Sequence, residues 1–258
     1  MTTGSDVATG DRQRVLGWEG CLNSRDLGGY PTNDGRETRW GEIVRSDRLG
    51  DLTATGQAAL VAHGIRTIID LRRPAELQLY PNPFADPAHI GGHGITYVNI
   101  SLVDPGSGSR EHFATLADDY VDMLETFSTS IAQIVATIAD APAGGIVIHC
   151  MAGKDRTGIV AALLLDLAGV PRVTIGEDYA LTAECIRPAL DEWLENGPGT
   201  RAEREAINTK YDPTAAVILA ALEHLDVRYG GSEPYLRTNG VTEDQIRRIR
   251  ARLLGPLT

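Results

Sequence analysis

A short segment between residues 146 and 159 constrains this chain more than any other part of the sequence. The apolar, β-branched run Ile146-Val147-Ile148 predicts a buried strand that ends at His149-Cys150. A small loop follows, and from Thr157 the apolar residues recur with the period of a helix. Backbone N–H groups in a loop that leads into a helix N-terminus bind anions well. The segment therefore predicts a binding site for a phosphate group.

Two side chains make this loop a candidate reactive site. Cys150 stands at the end of the predicted strand, where loop amides and the helix dipole favour a thiolate. Arg156 carries a planar guanidinium, which can hold two phosphoryl oxygens at once, whereas a lysine ammonium cannot. A buried structural cysteine beside a surface arginine is the simpler interpretation, but it leaves the coincidence of strand, loop, Thr-Gly and helix unexplained. We therefore predict a nucleophilic Cys150 and a phosphate-binding Arg156.

The residues from His149 to Gly158, which read HCMAGKDRTG, resemble the phosphate loop of the cysteine-dependent phosphatases. The Lys154-Asp155 pair is similar to that of a bacterial branch of tyrosine and lipid phosphatases with triple specificity. Residues 23–30, 44–49 and 64–72 also follow the order and spacing of that branch, so the resemblance spans residues 15 to 255. Ser24 departs from the pattern, which has an aromatic residue at this position.

The resemblance implies a phosphomonoesterase that works through a covalent phosphocysteine on Cys150, with no metal and no other cofactor. The implied substrates are phosphotyrosine proteins, together with phosphoserine or phosphothreonine proteins and phosphoinositides. Lipid phosphatases of the superfamily also carry a lysine at the position of Lys154. The implied phosphate-binding residues are Met151, Ala152, Gly153, Lys154, Asp155, Arg156 and Thr157.

Two other functions compete with this one. A non-catalytic phosphate-binding module on the same fold gains little from an intact Cys150, Arg156 and Thr157, and a p-nitrophenyl phosphate assay separates the two. A sulfurtransferase of the rhodanese type also carries a cysteine loop at a helix N-terminus. The Gly-Lys-Asp-Arg-Thr-Gly ending of this loop and the preceding His149 disfavour that class.

Three aspartates are candidates for the general acid that protonates the leaving oxygen. Asp155 ranks first, because an acidic side chain inside an anion-binding loop has no structural reason to be there. Asp104 follows a predicted strand, and the wider superfamily carries its acid on a mobile loop after the equivalent strand. Asp70 ends a buried strand at the carboxyl edge of the sheet, although an ion pair with Arg72 or Arg25 is an equal alternative.

Further residues are expected to support the loop. Thr157 should donate its hydroxyl to the Cys150 sulfur, and His149 should orient the loop through a backbone hydrogen bond. Asn23, Arg25 and Asp26 are expected to brace the loop from behind rather than to contact the substrate.

The composition indicates an acidic globular protein. Its 258 residues are 42% hydrophobic, and 35 acidic against 24 basic side chains give a net charge of −11. This charge argues against a nucleic acid partner and offers no attraction to anionic membranes, and no apolar run suggests stable membrane insertion. An anionic substrate must therefore find a local positive pocket. Candidates to build it are Arg25, Arg45, Arg48, Arg72, Arg73, Lys154 and Arg156.

We expect a reduced, cytoplasmic setting. The three cysteines, Cys21, Cys150 and Cys185, show neither paired nor metal-ligand spacing. Residues 1–14 lack the apolar core of a secretory signal and are interpreted as a disordered tail. A related enzyme is exported without a recognisable signal peptide, so export stays open. Nothing in the sequence specifies an oligomeric state.

The periodicity predicts an α/β fold with a mostly parallel sheet flanked by helices, in a single domain over residues 15–258. The resemblance implies that this fold is of the cysteine-phosphatase type. Strands are predicted at 16–22, 40–45, 67–71, 95–102 and 145–149, and a loop at 103–110. Helices are predicted at 53–63, 111–140, 173–195, 201–210, 213–226 and 241–254, with residues 128–130 as a candidate break in the second of them. In the resembling branch a helical pair near residues 182–211 covers the active site as a lid. Ordinary helices on the domain flank are the alternative.

Overall fold

The strand before the candidate loop, β5 (Gly145–His149), lies at the centre of the sheet. The computed structural model describes residues 13–86, 94–102 and 113–255. The other strands in these ranges are β1 (Arg25–Asp26), β2 (Ile43–Ser46), β3 (Ile65–Asp70) and β4 (Thr96–Asn99). Their order is β1-β2-β5-β3-β4. Strand β1 is antiparallel to β2 and the other pairings in this sheet are parallel, which confirms the predicted α/β fold.

Helices cover both faces of this sheet. The first helix begins as predicted, because the Thr53 hydroxyl accepts a hydrogen bond from the Gly56 amide and caps its N-terminus. No helix in the described ranges is both long and apolar enough to cross a membrane. The helices are α1 (Ala54–Ala62), α2 (Pro74–Leu79), α3 (Leu116–Thr126), α4 (Ser128–Asp140), α5 (Asp155–Leu167), α6 (Arg172–Ala180), α7 (Thr182–Cys185), α8 (Arg187–Asn196), α9 (Arg201–Lys210), α10 (Ala215–Tyr229), α11 (Ser232–Thr238) and α12 (Glu243–Leu254).

The predicted strand over 16–22 is wrong. Gly20 adopts a φ of 98° and packs so closely that a Cβ would lie 2.0 Å from the Asp51 carbonyl oxygen. The Cys21 amide donates to the Trp18 carbonyl, so the segment turns where a strand would continue. The periodicity did not predict the short elements β1, α2 and α11.

Two predicted long helices are divided. The one over 173–195 forms α6, α7 and α8, and Pro188 lies in the first turn of α8, where its missing N–H costs no helical hydrogen bond. The one over 111–140 forms α3 and α4, which meet at Phe127, directly before the candidate break at 128–130. The first begins at Leu116, because Thr115 and Asp118 make a reciprocal capping box. The predicted loop over 103–110 lies outside the described residues.

Successive residues of β5 face two different cores, as the two-residue period of a strand requires. Ile146 and Ile148 pack into the larger core, which α3 to α6 and α10 to α12 complete. Val147 packs into the smaller core, which includes Leu60 of α1 and Trp18 of the N-terminal segment. The strand is therefore buried on both sides, and its end is fixed in position.

The parallel strands end together at one edge of the sheet. Ser46 of β2 and Asp70 of β3 are the register partners of His149, and Asn99 of β4 is the partner of Asp70. The loop between β5 and α5 starts from this edge, where ligand sites form in open α/β sheets.

The larger core should dominate stability. Ile134 of α4 is fully buried there, so we expect Ile134→Ala to lower the free energy of unfolding by about 2–5 kcal/mol through lost burial and a residual cavity. Urea unfolding followed by circular dichroism measures this change. Val227→Ala is the control, because Val227 is 84% exposed and should change the free energy by less than about 0.5 kcal/mol. Equal effects of the two substitutions would contradict this assignment.

Candidate active site

The loop after β5, residues 150–156 and hereafter the phosphate loop, is held by hydrogen-bond donors on its outer side. Three consecutive carbonyl oxygens, at residues 151–153, accept hydrogen bonds from other segments. In order, the donors are the Arg48 amide at 3.0 Å, the Asn23 side-chain amide at 2.8 Å and the Arg45 guanidinium at 2.8 Å. These donors come from β2, the segment after it and the segment before β1, so the sheet itself fixes the loop.

The outward carbonyls determine where the loop amides point. In a planar trans peptide the N–H points opposite to the carbonyl before it, so the amides of Ala152, Gly153 and Lys154 face away from the donors. No backbone amide over 151–154 donates to another residue in the described part of the chain. Gly153 has a φ of 64°, and a Cβ there would lie 2.6 Å from the Ser46 carbonyl oxygen. The amides thus form a set of unused donors, which suits an anion.

Cys150 and Thr157 lie at the two ends of this amide set. Cys150 is 2% exposed, which shields its sulfur from oxidants in bulk solution. The Thr157 hydroxyl is buried and has no hydrogen-bond partner among the described residues, so the expected bond to the Cys150 sulfur is not formed here. A buried hydroxyl without a partner costs free energy, and it is available to a group that enters the site.

Arg156, in the first turn of α5, makes a bidentate ion pair with Glu76 of α2. Its two terminal nitrogens lie 2.7 and 2.8 Å from the two carboxylate oxygens. The same carboxylate accepts a hydrogen bond from the Arg73 amide in a capping box at the start of α2. Burial favours the neutral acid, but the pairing with Arg156 keeps the pKa of Glu76 below its ordinary value. The guanidinium is therefore oriented before any ligand binds.

Asp155 begins α5, and its carboxylate meets a buried hydroxyl. The Tyr120 hydroxyl donates to Asp155 Oδ1 at 2.7 Å, and Lys154 Nζ lies 3.6 Å from the same oxygen. Lys154 also donates to the Tyr211 carbonyl at 2.9 Å, which links the phosphate loop to the chain after α9. Asp155 and Lys154 are thus both held at the edge of the loop.

Asp70 has a different environment from Asp155. It is fully buried and makes a bidentate ion pair with Arg72, with nitrogen-to-oxygen distances of 2.9 and 2.7 Å. Tyr97 donates to the same carboxylate at 3.0 Å, and His149 Nε2 lies 3.3 Å away. Burial alone would raise the pKa of Asp70, but His149 and Arg72 hold it well below its usual value. The carboxylate of Asp70 is thus engaged by Arg72, Tyr97 and His149.

The other residues predicted to belong to the site are Asp104, His149 and several arginines. Asp104 lies outside the described residues. The His149 ring lies 3.3 Å from the Cys150 carbonyl oxygen, in agreement with a role in orienting the loop. Arg25, Arg45 and Arg72 are buried, so they support the site from behind and do not line a positive pocket.

Behind the phosphate loop, two buried arginines share one buried aspartate. Arg45 lies 2.6 Å and Arg25 3.5 Å from the Asp178 carboxylate of α6, and Tyr30 donates to it at 2.8 Å. Burial opposes the charge of Asp178, but Arg45 and Arg25 keep its pKa below the ordinary value. Burial and the charge of Arg45 lower the pKa of Arg25. Arg25 lies behind the loop as expected and contacts the Asn23 side chain, which donates to the Ala152 carbonyl.

Comparison with known proteins agrees with this geometry. A family model described as the tyrosine phosphatase family matches residues 16–255. The chain belongs to this family. It is 34% identical over 219 residues to a tyrosine-protein phosphatase of Nostoc commune, with 82% of this chain and 74% of the relative covered. It is 28% identical over 276 residues to the triple specificity protein phosphatase PtpB of Mycobacterium tuberculosis, with 92% and 98% covered. A putative tyrosine-protein phosphatase of Cupriavidus necator is 26% identical over 229 residues, with 86% and 82% covered.

Three residues of this tyrosine phosphatase site were not predicted from the sequence, namely Glu76, Asp178 and Tyr120. Pro74 followed by Glu76 is typical of the first turn of a helix, so the sequence could have indicated the position of Glu76. Nothing in this local pattern indicates that Glu76 pairs with Arg156. Asp178 and Tyr120 lie within ordinary helical patterns. Their contacts with Arg45 and Asp155 span 133 and 35 residues of sequence, and only the folded chain reveals them.

Asp178 should be essential to the stability of this phosphatase. We expect Asp178→Asn to lower the free energy of unfolding at neutral pH by about 3–5 kcal/mol, because it leaves two buried guanidinium groups without a carboxylate. Since the folded-state pKa of Asp178 is depressed, its contribution is present above the unfolded-state pKa and is lost as pH falls below it. Guanidinium chloride unfolding at several pH values measures both effects.

The control is Asp34→Asn, which removes an exposed ion pair with Arg36 and should leave the unfolding midpoint essentially unchanged. An Asp178→Asn variant as stable as this control would contradict the structural role of the buried cluster.

Proposed function

We propose that this chain hydrolyses phosphotyrosine in proteins through a covalent phosphocysteine on Cys150. The observation that carries the proposal is the set of unused amides over 152–154, fixed beside Cys150 and Arg156 by outward-facing carbonyls. Membership of the tyrosine phosphatase family supports the same activity.

In the first step the Cys150 sulfur attacks phosphorus in line, and the bond from phosphorus to the leaving oxygen breaks. The loop amides and Arg156 hold the three equatorial oxygens, whose charge they stabilise as it redistributes in the transition state. Glu76 keeps the Arg156 guanidinium in orientation, so less ordering remains to be done when the substrate binds. In the second step water attacks the phosphocysteine, and the Thr157 hydroxyl stabilises the departing thiolate.

Asp155 is our choice for the general acid. It lies within the phosphate loop with a partly exposed carboxylate, whereas the Asp70 carboxylate is fully buried in its pairing with Arg72. Asp155 gives its proton to the leaving oxygen in the first step and takes a proton from water in the second. Asp70 then acts as a structural anchor for the strand end and for His149.

The surroundings of Lys154 support a protein substrate. A cavity of about 390 Å³ lies between this lysine and the helices α8 and α9, with Leu190, Trp193 and Ile207 on its wall. Its lining is mixed, because Lys154, Arg187 and Asp212 stand beside these apolar and aromatic side chains, and such a lining suits the ring of a phosphotyrosine together with polar groups of a peptide. The net charge of −11 disfavours approach to an anionic membrane, so phosphoinositides are secondary candidates. The name of the M. tuberculosis relative supports a triple specificity that includes them.

We also propose that residues 182–211 act as a lid. Helix α8 has no buried residue, and α9 has one, Arg204, whose guanidinium donates to the Leu194 carbonyl of α8 and to the Gly197 carbonyl in the turn between the two helices. The pair is thus held together mainly by its own contacts, and Lys154 contacts the end of α9 through the Tyr211 carbonyl. Such a hairpin can move as one piece over the phosphate loop.

A reducing compartment such as the cytoplasm suits this mechanism, because the sulfur of Cys150 attacks phosphorus as a thiolate and loses that ability when it is oxidised. The cysteines Cys21, Cys150 and Cys185 are all free. Burial, together with the charge of Asp47, raises the pKa of Cys21 to about 12, so Cys21 stays a protonated thiol.

We expect Cys150→Ser to lower turnover of p-nitrophenyl phosphate and of a phosphotyrosine peptide by at least about 10⁴-fold, because a serine hydroxyl is a far weaker nucleophile here. Isothermal titration calorimetry should show that the variant still binds inorganic phosphate. Cys21→Ser is the matched control and should keep full activity. Persistent turnover by Cys150→Ser would refute the phosphocysteine mechanism, and EDTA should leave the activity of the unaltered protein unchanged.

The general acid is tested with two substrates that differ in their leaving group. We expect Asp155→Asn to lower kcat for phenyl phosphate by about 10²-fold or more, and to affect p-nitrophenyl phosphate less, because nitrophenolate departs without a proton. Asp70→Asn should instead lower stability, since it leaves the buried Arg72 unbalanced. Equal losses on both substrates in Asp155→Asn would count against Asp155 as the acid.

A further inference from the structure

Two buried tyrosines from different helices stand behind Asp155. Tyr120 of α3 is fully buried, and Tyr179 of α6 is 1% exposed. The Tyr120 hydroxyl lies 2.7 Å from Asp155 Oδ1 and 2.5 Å from the Tyr179 hydroxyl. The three groups therefore form a hydrogen-bonded chain that runs from the protein interior to the phosphate loop.

The tyrosine pair is built into the fold. The two rings meet edge to face, with centroids 6.0 Å apart and planes at 85°. Tyr179 also packs against α5 at Gly158, where a Cβ would lie 2.9 Å from the Tyr179 ring. The glycine after Thr157 thus admits the ring, and the ring fixes the hydroxyl chain relative to the phosphate loop.

We propose that Tyr120 and Tyr179 are positioning residues for proton transfer by Asp155. The proposal rests on the proposed function, in which Asp155 is the general acid. It adds that the hydroxyl pair holds the Asp155 carboxyl in one place in both of its protonation states.

The hydroxyl pair can hold both protonation states because the direction of hydrogen-bond donation along a chain of hydroxyls can reverse. When Asp155 is ionised, Tyr120 donates to the carboxylate and Tyr179 donates to the Tyr120 oxygen. When Asp155 is protonated, its own O–H can donate to the Tyr120 oxygen, the Tyr120 proton turns toward the Tyr179 oxygen, and the Tyr179 proton turns away from Tyr120. Only hydroxyl protons rotate, and no proton enters or leaves the pair.

The burial of Tyr120 keeps this chain intact. Burial first, and then the neighbouring Asp155 and Tyr179, raise the pKa of Tyr120 well above its ordinary value, so the hydroxyl keeps its proton throughout the working pH range. A phenylalanine at this position would fill nearly the same volume and remove only the hydroxyl. The carboxyl of Asp155 would then lose a charge-assisted hydrogen bond and the orientation that it gives.

The test compares Tyr120→Phe and Tyr179→Phe with Tyr235→Phe. Tyr235 is also fully buried, and its hydroxyl donates to the Leu124 carbonyl at 2.6 Å, so this control loses a comparable buried hydrogen bond away from the loop. We expect Tyr120→Phe to lower kcat for phenyl phosphate about 10-fold, Tyr179→Phe to lower it less, and Tyr235→Phe to leave it unchanged. For Tyr120→Phe, the loss with p-nitrophenyl phosphate should be smaller and KM should stay unchanged.

A merely structural role predicts a different pattern, with equal losses on both substrates and a raised KM, and that result would overturn the proposal. So would a Tyr120→Phe variant that matches Tyr235→Phe on both substrates. A double-mutant cycle adds a second readout, because Tyr120→Phe should have no further effect on leaving-group dependence in the Asp155→Asn background. Additive losses in that background would also overturn it.

The same measurements separate this proposal from the proposed function. If Asp155→Asn shows the leaving-group effect and Tyr120→Phe does not, only the positioning role fails. If Asp155→Asn itself shows no such effect, the acid assignment fails, and the proposal fails with it. If Cys150→Ser retains turnover, the mechanism as a whole fails.

Discussion

Three hydrogen bonds to the carbonyls of residues 151–153 are the constraint on which this site depends. Each fixes one peptide plane, and each therefore turns the next amide away from the sheet and toward the anion site. A free loop of this length would satisfy its carbonyls with water and leave its amides in many orientations. Because the donors belong to strands and to the segments beside them, the fold carries the cost of ordering the loop before any substrate arrives.

The buried charges behind the loop follow from the same constraint. Arg45 must be buried to reach the Gly153 carbonyl, and a buried guanidinium needs a carboxylate, which Asp178 supplies from α6. Arg25 shares that carboxylate, so two positive groups face one negative group directly beneath the loop. Since the net charge of the chain is −11, binding of an anion depends on the local donors of the loop.

The parts of the structure that the sequence predicts best are encoded by contiguous residues. Strand β5 matches the prediction from Gly145 to His149, and a loop and a helix follow it, because an apolar run, small residues and a helical period stand side by side. The helix α5 begins at Asp155, two residues before the predicted start at Thr157. The pairing of Arg156 with Glu76 spans 80 residues and depends on how α2 packs, which no local pattern records. The bond expected between Thr157 and Cys150 is absent, because spacing alone cannot fix a side-chain direction. The strand predicted over 16–22 is not formed, because the chain turns at Gly20.

The most direct test of the amide site is a titration of ¹⁵N-labelled Cys150→Ser protein with inorganic phosphate, followed by NMR. We predict that the amides of Ala152, Gly153 and Lys154 show the largest chemical-shift changes and saturate together at one dissociation constant. Phosphate binding that leaves these three amides unchanged, or that shifts only distant surface amides, would contradict it.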